Sequence, residues 1–189
     1  MIKEHYSFNP FPKINTNRLV LRQMNNEDQY EIFALRSNKK VSQYINRPIA
    51  EEVDEALQYI KMINEGIERN DWILWAITFK ESDQLIGTIC LWNFSVEQSK
   101  GEVGYELLPE LQGKGIMQEA LEAVLAYGFN TLELQVIEGI VQSENQKSIQ
   151  ILERNKFINK GLVNRESTNE EDIHSCIFEL TNERYYYAK

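Results

Sequence analysis

The stretch Leu111-Gln112-Gly113-Lys114-Gly115-Ile116-Met117-Gln118-Glu119-Ala120 constrains this chain more than any other, because two closely spaced glycines end a strand-like run and lead straight into strongly helical sequence. Glycine at 113 and 115 lets the turn bend and leaves its N–H groups uncovered, and the helix that follows points its positive dipole end at the same spot. Such a junction suits a phosphate. Helix-entry turns also use glycine for purely conformational reasons, so the surrounding sequence has to decide between the two readings.

Apolar periodicity lays out the surroundings. Residues 18–23 alternate as a half-buried strand, and residues 27–36 and 51–69 repeat apolar positions at helical spacing. Residues 72–79 and 85–94 are β-rich runs joined by a polar turn at 80–84, which predicts an antiparallel hairpin, and residues 102–108 form the next strand. After the glycine turn, Met117, Ala120, Leu121, Val124, Leu125 and Phe129 make the apolar stripe of a core helix. A strand at 132–141, a short helix at 144–154 and two closing strands at 157–163 and 173–180 complete the order. Strand, glycine turn and helix at the centre of a mixed order imply an α+β or α/β domain with its ligand at the carboxyl end of the central strand.

At 189 residues, 42% apolar and 26% charged, with no Pro/Gly/Ser-rich linker, the chain reads as one domain over residues 1–189. A net charge of −9 without clustered Lys and Arg argues against a nucleic-acid surface, and no apolar run is long enough to span a membrane, so a cytoplasmic protein is expected. That acidity suits either solubility or a basic substrate. Cys90 and Cys176 sit in apolar runs without metal-ligand spacing and read as core thiols rather than a disulfide, and His5 and His174 read as incidental. No metal is expected. The aromatic tail Tyr185-Tyr186-Tyr187 is expected to dock on its own domain.

Four segments stand in order along the chain: the opening strand Thr16 to Arg22, the hairpin strand Leu85 to Ile89, the run Gly101 to Leu107 leading into Gln112-Gly113-Lys114-Gly115, and Asn145-Gln146-Lys147-Ser148 ending at Phe157. Together they resemble the GNAT superfamily of acyl-CoA-dependent N-acyltransferases, in particular its RimJ/RimL-like branch of ribosomal-protein N-terminal acetyltransferases. They cover about residues 15–180. The resemblance implies a GNAT fold: a mixed, mostly antiparallel sheet of about seven strands flanked by about four helices, with splayed central strands. It implies acetyl-CoA as cosubstrate, its pyrophosphate on the backbone amides of Gln112, Gly113, Lys114, Gly115, Ile116 and Met117, and its pantetheine arm against the backbone of Leu107 and Leu108 and the side chain of Asn145. Met117 replaces the Gly or Ala usual at its position, which a backbone grip tolerates if the side chain enters the core. Lys114 adds a charge beside phosphate or is simply solvated, and Asn145 also suits a helix N-cap.

Acetyl transfer from a thioester needs a neutral amine, so a group must accept the proton of the ammonium. Period two places Glu102, Gly104 and Glu106 on one strand face, with Val103, Tyr105 and Leu107 opposite. The two carboxylates stand about 13 Å apart at strand rise and cannot serve one amine together. Glu102 matches the family's strand glutamate and is the candidate base, through a water; Glu106 is the alternative, and either could instead be solvent-facing or salt-bridged. The family's tyrosine, seven residues after the motif asparagine, is Leu152 here, which leaves Ser148 to protonate the departing thiolate unless its hydroxyl bonds the helix backbone. The usual Gly-Phe ending is Asn155-Lys156-Phe157, with Asn155 expected in the left-handed conformation.

The resulting expectation is an N-acetyltransferase acting by direct attack in a ternary complex, as a monomer or homodimer. Its acceptor amine is a protein N-terminus, or else a polyamine, aminoglycoside or amino acid, shaped by the helical pair 27–69 and the segment near Trp92 and Asn93. A non-catalytic CoA-binding sensor is the alternative. A P-loop nucleotide site lacks its Gly-Lys-Ser/Thr ending here.

Overall fold

The computed structural model describes residues 6–164 and 174–187. Eight strands lie in one sheet in the order β1-β2-β3-β4-β5-β6-β8-β7. They are β1 (Ile14–Asn15), β2 (Leu19–Arg22), β3 (Ile73–Phe79), β4 (Gly87–Ser95), β5 (Lys100–Leu107), β6 (Val136–Gln142), β7 (Ile158–Asn164) and β8 (His174–Thr181). The α-helices are α1 (Gln29–Ser37), α2 (Lys39–Ser42), α3 (Val53–Glu68), α4 (Ile116–Asn130), α5 (Gln146–Arg154) and α6 (Asn182–Tyr187). The additions to the expected seven strands and four helices are short pieces: the two-residue β1, the single turn α2, and α6 at the tail. No helix among the described residues is long and apolar enough to cross a membrane.

Every neighbouring pair of strands is antiparallel except β5 with β6. That parallel pairing covers only Lys100 to Glu102 against Val136 to Glu138. Beyond it β5 stays on β4 as far as Leu107, while β6 follows β8 to Gln142, so the two central strands part. Pro109 then opens a 3-10 turn over Pro109–Leu111, which ends the strand as its missing N–H requires.

Side-chain alternation sorts the helices to the two faces. Leu91 lies beside Gly128 of α4, and Tyr127 of α4 meets Trp75 edge-on at 5.4 Å. Cys90, one residue away on the opposite face, lies within electrostatic reach of Tyr59 on α3. The core runs through both layers and includes Met117 at the start of α4.

Two local readings are corrected. Residues 132–135 are not strand: Leu132 and Leu134 are buried, but they cap α4 through Leu132 N–H to Tyr127 O and Leu134 N–H to Gly128 O, with Glu133 at φ 55°. Their alternation serves a turn, because both leucines plug the core under the helix. At the end of α5 the left-handed residue is Lys156, φ 68°, and not Asn155, whose side-chain amide bonds Ile151 O and Gln118 instead. The tail docks as expected: Tyr185 stacks on Phe129 at 4.7 Å and the Tyr186 hydroxyl bonds Asn130. His5 and the side chain of His174 lie outside the described residues.

Gly66 of α3 faces the Trp72 indole so closely that a Cβ there would stand 2.1 Å from the ring, which is fixed by its N–H to Ile63 O. Alanine gains about 1 kcal/mol of helix propensity, whereas displacing the ring costs about 1–3 kcal/mol. Gly66→Ala is therefore expected to lower the Tm in thermal denaturation; an unchanged or raised Tm contradicts this packing.

Candidate active site

Gly113 and Gly115 adopt φ 76° and 72°, the left-handed region that glycine enters without strain. Gly115 is the N-cap of α4 and supplies no side chain to its amides. Among the described residues, none of the N–H groups from Gly113 to Met117 donates to a protein acceptor, whereas the Gln112 N–H, expected to join them, is already committed to Pro109 O at 3.2 Å by the 3-10 turn. Open space lies over Gly113, where a Cβ would meet nothing within 4 Å. Uncapped donors, a dipole end and room above them fit a diphosphate.

Side chains brace the turn from three directions. Glu119 accepts the Arg18 guanidinium at 2.6 Å and the Thr16 hydroxyl at 2.6 Å, and Arg18 donates to Lys114 O at 3.1 Å, tying the turn that leads into β2 to the start of α4. Gln112 donates to Leu107 O at 3.1 Å and accepts Lys147 Nζ at 3.0 Å. Gln118 and Asn155 exchange amide hydrogen bonds at 3.1 and 3.0 Å, which fastens α5 to α4. Lys114 is exposed, and Lys147 brings a second ammonium to the same turn. Sequence reasoning missed Lys147 and Arg18; the position of Lys147 within the motif run of α5 was the available signal.

The expected pantetheine contacts flank the gap between β5 and β6. The Leu108 N–H is already committed to Ile86 O at 3.1 Å, and Leu107 O receives Gln112. Asn145 is the N-cap of α5, its side chain accepting Ser148 N–H at 3.2 Å. Ser148 lies on the Tyr105 face, where the Tyr105 hydroxyl donates to Ser148 O at 3.4 Å. Tyr105 thus brings to α5 a phenol that the alternation pattern had placed among apolar residues. Leu152, at the family's tyrosine position, is instead buried against Gly139 of β6.

Neither strand carboxylate faces solvent. Glu102 is 5% exposed and Glu106 9%. Asn93, at φ 50° in the bulge of β4, donates to Glu102 at 3.4 Å. Glu106 takes Arg47 at 2.7 Å and Thr88 at 3.4 Å. Gly104 sits between them, and a Cβ there would stand 3.2 Å from the Cys90 sulfur. Glu102 and Ser148 lie on opposite faces of β5, so they are not in contact but flank the strand where it leaves β6.

Burial pushes the Cys90 thiol and the Tyr105 phenol each up to about 12, the thiol helped by the nearby Glu102 and Glu106 charges. Both groups are neutral donors at ordinary pH, and neither is a base. Among the described residues no cluster of three or more His, Cys, Asp or Glu side chains is arranged to hold a metal, and both cysteines are free.

Residues 18–158 match the family described as acetyltransferase (GNAT) domain. The uncharacterized N-acetyltransferase YoaA of Bacillus subtilis is 31% identical over 153 residues, spanning 81% of this chain and 86% of that protein. The spermidine N-acetyltransferase of Vibrio cholerae, solved in complex with CoA and spermine, superposes with a TM-score of 0.76 at 25% identity, covering 89% of this chain and 98% of that one. The ribosomal-protein-S5-alanine acetyltransferase of Vibrio fischeri gives 0.76 at 20% identity, covering 92% and 98%.

The unfolded chain releases the thiol and phenol protons near their ordinary values of 9.0 and 10.0, while the folded chain holds them to about 12. The native state therefore binds more protons in that window, and stability falls as pH rises through it. At pH 8.5 the Cys90 thiol is expected to react with iodoacetamide at least about tenfold more slowly in native than in denatured protein. Peptide mass spectrometry reads the rates, and equal rates contradict the burial described.

Proposed function

Because the chain belongs to the GNAT acetyltransferase family, we propose that it transfers the acetyl group of acetyl-CoA to a primary amine by direct attack in a ternary complex, with a protein N-terminus, such as that of a ribosomal protein, as acceptor. The observation that carries this reading is the row of uncommitted amides from Gly113 to Met117 at the mouth of the β5/β6 gap. Those amides, with Lys114 and Lys147, hold the diphosphate; the backbone of Leu107 and Leu108 and the Asn145 side chain line the path of the pantetheine arm. The thioester supplies an activated acyl carbon and a thiolate leaving group.

Proximity provides much of the rate, and backbone N–H donors near Gly104 and Tyr105 polarise the acyl oxygen. Glu102, buried beside Asn93, takes the ammonium proton through a water, from the face that carries Gly104. Ser148, on the other face with the Tyr105 phenol beside it, hydrogen-bonds the departing sulfur. Base and acid thus approach the reacting carbon from opposite sides of one strand, which keeps their protons apart.

Thiol release from acetyl-CoA with a panel of peptide and small-molecule amines tests the reading; tight CoA binding with no turnover on any amine would favour a sensor. Glu102→Gln is expected to lower kcat about a hundredfold with little change in the Kd for CoA, and Ser148→Ala to lower kcat about tenfold or more. Unchanged kcat in either variant removes that residue from the mechanism.

A further inference from the structure

At the Glu106 end of the β5 face that carries Glu102, Arg47 pairs with Glu106 and a second arginine, Arg36, lies within electrostatic reach of the same carboxylate. Arg47, from the loop after α2, places Nη2 at 2.7 Å from Glu106, while its Nε is buried without any hydrogen-bond partner. Arg36, in the last turn of α1, lies over the Tyr59 ring with its guanidinium 4.0 Å from the centroid. Its guanidinium donates to no protein acceptor among the described residues. Burial, and after it the Arg47 charge, favour loss of its proton. The second oxygen of Glu106 is taken by Thr88. Glu55, the other carboxylate that Arg36 feels, is exposed and accepts the Glu51 and Glu52 amides through one of its oxygens at the start of α3.

Within the partly buried cluster two guanidiniums therefore face one buried carboxylate, Glu106, with the Arg47 Nε and the Arg36 guanidinium left unbonded, while the exposed Glu55 answers Arg36 only through solvent. A buried, unfilled donor such as the Arg47 Nε is costly, and a carboxylate fits a guanidinium fork better than any other common partner. Gly104, which carries no side chain, separates this cationic end from Glu102, about 13 Å away along the strand. We infer that the acceptor amine belongs to a polypeptide N-terminus with an acidic side chain among its first few residues, the amine lying toward Glu102 and the acidic group against Arg36 and the free Nε of Arg47. The inference rests on the acetyltransferase reading and sharpens it. A free α-amino acid, whose two charges are one carbon apart, cannot span the distance. A polyamine brings only positive charge to a positive end, so the local sign opposes the chain's overall acidity.

The test uses the full chain, acetyl-CoA, and three acceptors: the peptide amides Ala-Ala-Glu-Ala and Ala-Ala-Gln-Ala, and spermidine. Wild type is expected to favour the acidic peptide over the neutral one by at least about tenfold in kcat/KM, mostly through KM, with spermidine poorer still. Arg36→Gln should collapse that ratio to within about threefold, and Arg36→Glu should turn the preference toward spermidine. Arg36 is varied because removing Arg47 would strand the buried Glu106. CoA binding and Tm report whether the variants stay folded. Equal or better use of spermidine or the neutral peptide by wild type, or an unchanged ratio in Arg36→Gln, overturns the inference while leaving the acetyltransferase intact. If no amine is acetylated, the enzymatic reading falls. The subsite is then judged by calorimetry with N-acetylated Ala-Ala-Glu-Ala amide in the presence of CoA: binding lost in Arg36→Gln supports it, and no binding to wild type overturns it.

Discussion

Three residues of parallel pairing, Lys100 to Glu102 on Val136 to Glu138, hold the two halves of the sheet together, and the rest of the site depends on their stopping there. Further pairing would consume the β5 backbone on that side and close the path between α4 and α5. Antiparallel partners on the outer sides, β4 and β8, keep both strands rigid past the point of separation. The parting is thus built into the sheet. Backbone groups left facing a gap require partners, and an extended arm bearing amides is the natural one.

The ends of that gap differ in charge. At one end the uncapped α4 amides face open space above Gly113, with Lys114 on the turn and Lys147 bonded to its Gln112. On the β5 face toward α3, Glu102 and the Arg36 guanidinium lie on either side of Gly104, over which the Cys90 sulfur packs. A phosphate-bearing donor and a dipolar acceptor would meet from two sides of one strand. The net charge of −9 predicts none of this, because an average over 189 residues carries no information about a handful of buried ones.

Much of the fold was legible in the chain because its elements have strong periods: the stripe of α4, the β3/β4 hairpin and the glycine turn lie where periodicity and glycine spacing require. Residues 132–135 misled because leucines two apart alternate whether they line a strand or plug the end of a helix. The left-handed residue after α5 is a lysine because the Asn155 side chain is better used against Gln118 and Ile151. In the site, alternation sorted Glu102 and Glu106 from Tyr105 correctly, but only the distant helix α3 decides that the carboxylate face is covered. Arg36, Arg47 and Tyr59 belong to no motif, and only folding brings them to Glu106. The Tyr105 phenol reaches Ser148 across a separation of 43 residues, which no local pattern announces.

Amide-resolved NMR of isotopically labelled protein titrated with CoA tests the central claim most directly. The N–H resonances of Gly113, Lys114, Gly115, Ile116 and Met117 are expected to move downfield together and to exchange more slowly with solvent, as donors that gain an anionic acceptor do. Saturation by CoA that leaves these five unmoved, or shifts confined to another part of the molecule, would contradict the account.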